Sequence, residues 1–330
     1  MVGIEPVEPR LDCARHHDGN PEPEGDFILN LLSTGVRLTP EQLAKLEQLG
    51  YTVTTLREEA DVTEIDVSEV EGLICNNVFQ YCHVDDFKRL RFVQAISAGL
   101  DRLPLDELEA RDIRVYNAGD TYAVPMAEWV IWQLLDFMKH GAAFREKQAN
   151  RHWEKERRLR ELTGKTVALL GLGHVGEAVA TRLRAFDMTV IGVGHREKQV
   201  PFVDRYVLMD ELHDVLAVSD VVVIALPLTD DTYHVIDEGA IAAMKEDAVL
   251  LNVARGSIID EEALIAALEE GKFFGVALDV FETEPLPSDH ALYNFEWVTL
   301  TPHNSYVSDR VNARLFENMM NHLKIEQVNR

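Results

Sequence analysis

Cysteine is scarce in this 330-residue chain: Cys13, Cys75 and Cys82 are its only thiols. Three scattered thiols without C-x-x-C spacing offer neither a disulfide framework nor a zinc site, and they fit a reducing, cytoplasmic setting. Lysine is sparse as well, 10 against 22 arginines. Acids so outnumber bases that the formal net charge is −25. Phosphate neutralisation needs a basic face, so nucleic acid is excluded as a partner. Lysine-poor, acidic surfaces occur in salt-adapted proteins, where salt screens self-repulsion; an ordinary acidic cytoplasmic protein is the simpler reading. No apolar run approaches the roughly 18–20 residues of a membrane span. Residues 1–26 hold Pro6, Pro9, Pro21 and Pro23 among acids and lack the apolar stretch of a secretory signal. They read as a loosely draped leader.

What is present is an α/β pattern. Residues 27–32 read as a first strand. A helix follows over 39–50, with Thr39 as N-cap, Pro40 at its first position and Gly50 as its stop. Further strands are expected at 51–56, 72–75, 92–96 and 114–116, with short helices at 84–90 and 105–109. Residues 124–144 read as one long helix. A second series of strands, at 167–170, 189–193, 221–226, 248–253 and 275–279, consists of near-continuous apolar runs, as in a doubly wound sheet buried on both faces. Residues 308–328 have the spacing of an amphipathic helix.

The segment VALLGLGHVG over 167–176 places G-x-G-x-x-G between an apolar strand and a helix. Gly171, Gly173 and Gly176 would allow a tight turn and close backbone approach to a pyrophosphate, with His174 and Val175 opening the helix whose N-terminus favours the negative charge. The next strand ends in Gly194, His195 and Arg196, with no acid before Glu197. A missing carboxylate and a nearby guanidinium favour NADP over NAD; a merely solvated Arg196 would leave NAD open.

Three more segments sit at or just after expected strands: LNVARGSIID (251–260), DVFETEP (279–285) and TPHNSY (301–306). Reducing a 2-keto acid needs a cation for the carboxylate, which Arg255 can supply as a fork. It needs a proton donor, a part that His303 can take. Glu284 can hold that imidazole in one tautomer and favour its charged form. Alone, each has an ordinary alternative: a loop arginine, an acid before a proline turn, one histidine of twelve.

Together with SAGLD (97–101), Ala127-Glu128, LTGK (162–165) and ALPLT (225–229), these segments resemble the D-isomer-specific 2-hydroxyacid dehydrogenases, from about residue 72 to about 306. The resemblance implies a small 2-keto or 2-hydroxy acid as substrate, D-stereospecificity, and catalytic roles for Arg255, Glu284 and His303. It places Leu226, Pro227 and Asp279 against the cofactor, Asp279 near the carboxamide. It gives the backbone of Ala98, Gly99 and Leu100 to the substrate carboxylate, with Tyr306 as a further pocket residue; Asn76 and Asn77, on the loop after an expected strand, are read as pocket residues from their position. The implied fold is a Rossmann-type cofactor domain (121–304) inserted into a smaller flavodoxin-like α/β substrate domain (1–120 and 305–330). The chain would hinge near Tyr122 and Tyr306, and the 124–144 region would form a two-fold homodimer. Two alternatives stay open: a non-catalytic dinucleotide sensor of the same fold, and a phosphonate-type dehydrogenase. No metal is called for.

Overall fold

The computed structural model describes residues 28–196 and 198–328. The leader, the start of the expected first strand at Phe27, and Glu197 lie outside the described residues. The strands form two parallel sheets. The first contains β1 (Leu29–Ser33), β2 (Tyr51–Thr55), β3 (Gly72–Cys75), β4 (Phe92–Ala95) and β5 (Arg114–Tyr116), in the order β2-β1-β3-β4-β5. That is the flavodoxin-like order. The second contains β6 (Thr166–Leu170), β7 (Thr189–Gly194), β8 (Arg205–Leu208), β9 (Val221–Ile224), β10 (Ala248–Asn252), β11 (Phe273–Leu278) and β12 (Val298–Leu300). Its order is β12-β11-β10-β9-β6-β7-β8. The chain leaves β6 for β7 and β8 on one side, then crosses to β9 on the other. Ligands bind at such a switch, beyond the carboxyl ends of the strands.

Local chemistry explains the helices that matter here. Helix α1 (Pro40–Gln48) starts in a reciprocal cap: Gln42 N–H donates to Thr39 Oγ1 at 3.3 Å and Thr39 N–H to Gln42 Oε1 at 2.8 Å. Such a cap stabilises a helix by about 1 kcal/mol. The stretch read as one long helix is two, α3 (Ala123–Met138) and α4 (Gly141–Ala149); α2 is the short helix Leu105–Ala110. The break falls at His140, whose backbone is left-handed (φ 51°), a conformation no α-helix continues through. The expected helix at 84–90 is only a 3₁₀ turn, Val84–Asp86. In the second half, α5 (His174–Arg184), α6 (Leu212–Val218), α7 (Glu238–Ala243) and α8 (Glu261–Glu269) connect strands of the larger sheet.

The last helix, α9 (Val311–Val328), returns to the smaller sheet. Leu315, Phe316, Met319 and Leu323 share a core with Leu29, Leu31, Ile74 and Phe92. The buried Glu326 fixes its end, accepting from Arg114 Nε and from the Tyr116 hydroxyl, each at 2.6 Å. Where the chain passes between sheets, the Tyr122 and Tyr306 rings meet edge-on, 5.5 Å apart. Among the described residues no helix is long and apolar enough to cross a membrane.

Candidate active site

The glycine loop has the geometry a dinucleotide requires. Gly171 sits at φ 93°, and a Cβ on Gly176 would lie 2.1 Å from the Gly171 carbonyl oxygen, so helix α5 lies directly on the turn after β6. Beside Gly173 there is open space, and the α5 N-terminus carries no side-chain cap. Its first-turn N–H groups therefore face a gap that an anionic pyrophosphate fits. Leu226 is buried in the core, whereas Pro227 is exposed, its carbonyl accepting from the Thr232 hydroxyl at 2.7 Å.

At the end of β7 the side chains that reach outward are His195 and Arg196, both exposed. Gly194 is buried, and a Cβ there would lie 2.3 Å from the Tyr206 hydroxyl. A side chain at Gly194 would have to displace the Tyr206 ring of β8, whereas the side chains of His195 and Arg196 beyond it are free of that contact. A further cation, invisible to the motif, lies alongside: Lys198 Nζ donates to the Leu172 carbonyl at 2.9 Å and to Glu177 at 2.7 Å.

The second constellation gathers at the carboxyl ends of β10, β11 and β12. His303 Nδ1 lies 2.8 Å from Glu284 Oε2. A carboxylate only accepts, so Nδ1 carries the proton and Nε2 is left for a reacting oxygen. Glu284 is itself oriented by the Phe281 N–H, which donates to Oε1 at 3.1 Å. His303 adopts φ 49°, and its N–H donates to the Asp279 carbonyl at 2.8 Å. Asp279, fully buried, has a carboxylate that accepts from the Thr301 hydroxyl at 2.5 Å and from the N–H groups of Asn304 and Ser305 at 2.8 and 2.9 Å. Asp279 thus shapes the His303 loop; the nicotinamide contact implied by the resemblance would have to use the lone pair that remains.

A cavity of about 220 Å³ is lined by Asp101, Arg102, Leu228, Arg255, Gly256, Ser257, Phe281, Glu282, Glu284 and His303. It brings Arg255 together with the Glu284–His303 pair. The loop bearing Arg255 is clamped by the buried Asn252, whose amide donates to the Arg255 carbonyl and accepts from the Ala254 N–H, both at 2.9 Å. Neither Asn76 nor Tyr306 lines this cavity. Asn76 lies on the loop after β3, where Glu59 accepts the N–H groups of Asn76 and Asn77 at 2.7 and 2.8 Å. Asn77 lines a neighbouring cavity of about 370 Å³, which shares Asp101 and Arg102 with the first. The Tyr306 ring is edge-on to His303 at 6.2 Å.

The loop after β4 is pinned through its carbonyls: Ser97 Oγ donates to the Gly99 oxygen at 2.7 Å and Asn117 to the Ala98 oxygen at 2.9 Å. Among the described residues, no backbone partner takes the N–H groups of Ala98, Gly99 or Leu100. Cysteine chemistry plays no part in this arrangement. Burial pushes the Cys82 thiol up to about 11 and the Cys75 thiol well above its ordinary value, so neither is a ready nucleophile. Among the described residues, no group of His, Cys, Asp or Glu could hold a metal ion.

The family model for the D-isomer specific 2-hydroxyacid dehydrogenase NAD binding domain matches residues 131–305. This chain belongs to the D-isomer-specific 2-hydroxyacid dehydrogenases. A glyoxylate reductase of Thermofilum pendens is 35% identical over 240 residues, 71% of each chain. A hydroxypyruvate reductase of Thermotoga maritima is 31% identical over 283 residues, 83% of this chain and 91% of the relative. Among solved structures, the NADPH-dependent glyoxylate/hydroxypyruvate reductase of Sinorhizobium meliloti, in complex with NADP and malonate, superposes with a TM-score of 0.75. It is 27% identical, with 88% of this chain and 90% of that one covered. The dehydrogenase described here is accordingly an NAD(P)-dependent oxidoreductase that acts on the CH–OH group of hydroxy acids.

Proposed function

We infer that the dehydrogenase reduces a small 2-keto acid to the D-2-hydroxy acid, with NADPH preferred. The observation that carries this reading is the shared cavity: a fork-shaped cation, Arg255, and a carboxylate-backed imidazole, His303, line one space of about 220 Å³. Arg255 and the unpartnered amides of residues 98–100 would receive the carboxylate. His303 Nε2 would give its proton to the ketone oxygen in reduction and take it back in oxidation. Glu284 would fix the tautomer. The glycine loop and the α5 N-terminus would hold the pyrophosphate, and the bound nicotinamide supplies the hydride. Arg196, with His195 and Lys198, supports a 2′-phosphate.

The same reading divides the chain at the boundary of its two sheets: residues 1–120 and 305–330 would bind substrate, and 121–304 would bind cofactor, with the crossings at Tyr122 and Tyr306 as hinges. Exposed Trp132, Phe144 and Trp153 on and after α3 and α4 support a homodimer built on that face. The acidic, cysteine-poor composition supports a cytoplasmic setting.

Arg255→Lys tests the reading. It keeps the charge and loses the fork, so KM for glyoxylate or hydroxypyruvate should rise and kcat fall, together lowering kcat/KM by about 10- to 100-fold, with NADPH affinity unchanged. Unchanged steady-state kinetics would remove Arg255 from the site.

A further inference from the structure

Arg255 has five N–H groups, and the structure accounts for three. Nε donates to Asp101 Oδ2 at 3.2 Å, and Nη2 donates to Oδ1 at 2.9 Å. Nη1 donates to the Ala254 carbonyl at 2.8 Å. A guanidinium offers two forks to a carboxylate, one at its side from Nε and Nη2, the other at its end from Nη1 and Nη2. Asp101 fills the side fork. Two protons are left over, one on each Nη, the two nitrogens that form the end fork.

We propose that Asp101 is a positioning residue for substrate binding, holding the side fork of Arg255 so that the end fork faces the substrate carboxylate. The inference rests on Arg255 being the carboxylate anchor. Asp101 follows β4 of the smaller sheet and Arg255 follows β10 of the larger, 154 residues away. The ion pair therefore links the two sheets across the cavity, and the fork is aimed only while they are together.

A separate observation shows that the loop is built around this pair. A Cβ on Gly99 would lie 2.4 Å from Arg255 Nη2 and 2.5 Å from Asp101 Oδ1. Only a bare backbone lets the guanidinium lie so close, and that backbone carries the unpartnered N–H groups of residues 98–100. Cation and amides are thus neighbours, as a carboxylate binding both would need. Burial works against the Asp101 charge, but the hydrogen bond and charge of Arg255 outweigh it and hold the carboxyl below its ordinary value. The Asp101 carboxylate therefore stays ionised through the neutral range.

The rival role for the same contact is competition, with Asp101 occupying the substrate's place on Arg255. The two roles predict opposite changes in KM. Steady-state reduction of glyoxylate by NADPH is measured for wild type, Asp101→Asn, Asp101→Glu, Gly99→Ala, Arg255→Lys and the Asp101→Asn/Arg255→Lys double variant, with NADPH affinity by fluorescence titration as the check of folding. Asp101→Asn should raise KM about tenfold with kcat changed less than about threefold and NADPH affinity intact. Gly99→Ala, an unrelated steric change, should reproduce that split. Asp101→Glu should recover part of the loss. With Arg255 already lysine, Asp101→Asn should add less than about twofold, because no fork remains to aim. A lower KM in Asp101→Asn overturns the proposal in favour of competition. KM unchanged in Asp101→Asn and Gly99→Ala, while Arg255→Lys raises it, overturns the positioning role and leaves the reductase reading standing. KM unchanged in Arg255→Lys overturns both. If Asp101→Asn fails to bind NADPH, Gly99→Ala decides alone.

Discussion

Both sheets are parallel with buried centres and exposed edges, but the buried centre of the larger is broader. In the larger sheet five adjacent strands, β11, β10, β9, β6 and β7, are buried at every residue or at all but one, and the edge strands β8 and β12 are not. In the smaller, three adjacent strands, β1, β3 and β4, are buried to that degree, while the edge strand β2 keeps a single buried residue and β5 none. The proposed chemistry divides between them. The larger sheet carries the side chains proposed to bind and protonate the substrate, Arg255, Glu284 and His303, at the ends of adjacent strands. The smaller would contribute bare amides at 98–100 and the carboxylate of Asp101. A broad buried bed suits groups that must hold geometry through a hydride and proton transfer; a narrower one suits a wall that receives different acids.

This contrast can be broken by mutation. The largest effect should come from the larger sheet. His303→Ala should lower kcat for reduction by about 10²- to 10⁴-fold, with NADPH affinity within about twofold of wild type. In the same assays, kcat/KM for reduction should fall as pH rises, because the donor must be protonated, and oxidation should show the opposite limb. Glu284→Gln loses the acceptor-only partner that fixes the proton on Nδ1, so kcat for reduction should fall by about 10-fold or more with NADPH affinity intact. Unchanged kcat would show that Glu284 does not act on the ring.

A middle-sized effect should come from the cofactor edge. His195→Asp places a carboxylate where β7 ends and should shift the NADPH-to-NADH ratio of kcat/KM toward NADH by about tenfold, about 1.4 kcal/mol. Gly194→Asp is the poorer experiment, since its Cβ would meet the Tyr206 hydroxyl at 2.3 Å. A wild-type preference for NADH would contradict the reading of His195 and Arg196.

The smallest effect on turnover should come from the far side of the smaller sheet. Glu326→Ala leaves Arg114 and the Tyr116 hydroxyl without their shared acceptor. Arg114 is 42% exposed and rehydrates, so the loss should be about 1 kcal/mol. The first thermal transition should fall by about 2–4 °C while kcat/KM at 25 °C stays within about twofold. A large loss of activity would mean that α9 reaches the site.

The larger sheet was legible in the sequence because its central strands are continuous apolar runs and its glycine loop sits between one of them and a helix. Its edges were not: β8 (RYVL) and β12 (VTL) are short and only partly buried, without a continuous apolar run to read. The long helix was misread because nothing in the composition of 124–144 marks His140 as the residue that turns left-handed. Arg255, Glu284 and His303 could be named because their segments carry both chemistry and a family pattern. Asp101 and Lys198 could not, since their partners lie 154 and 26 residues away and only folding pairs them. The Tyr206 hydroxyl beside Gly194 was equally out of reach, because it is a contact between strands.

Asp279 has a consequence for how the molecule can move. Three bonds tie its carboxylate to Thr301, Asn304 and Ser305, on either side of His303. The chain departs for the smaller sheet only after this fastening. It would act as a cable clamp does: a pull from α9 would be taken up at Ser305 before it reached the imidazole. Were the sheets to part at the proposed hinges to release an acid, the grip of Asp101 on Arg255 would loosen while His303 and Glu284 kept their spacing for the next turnover.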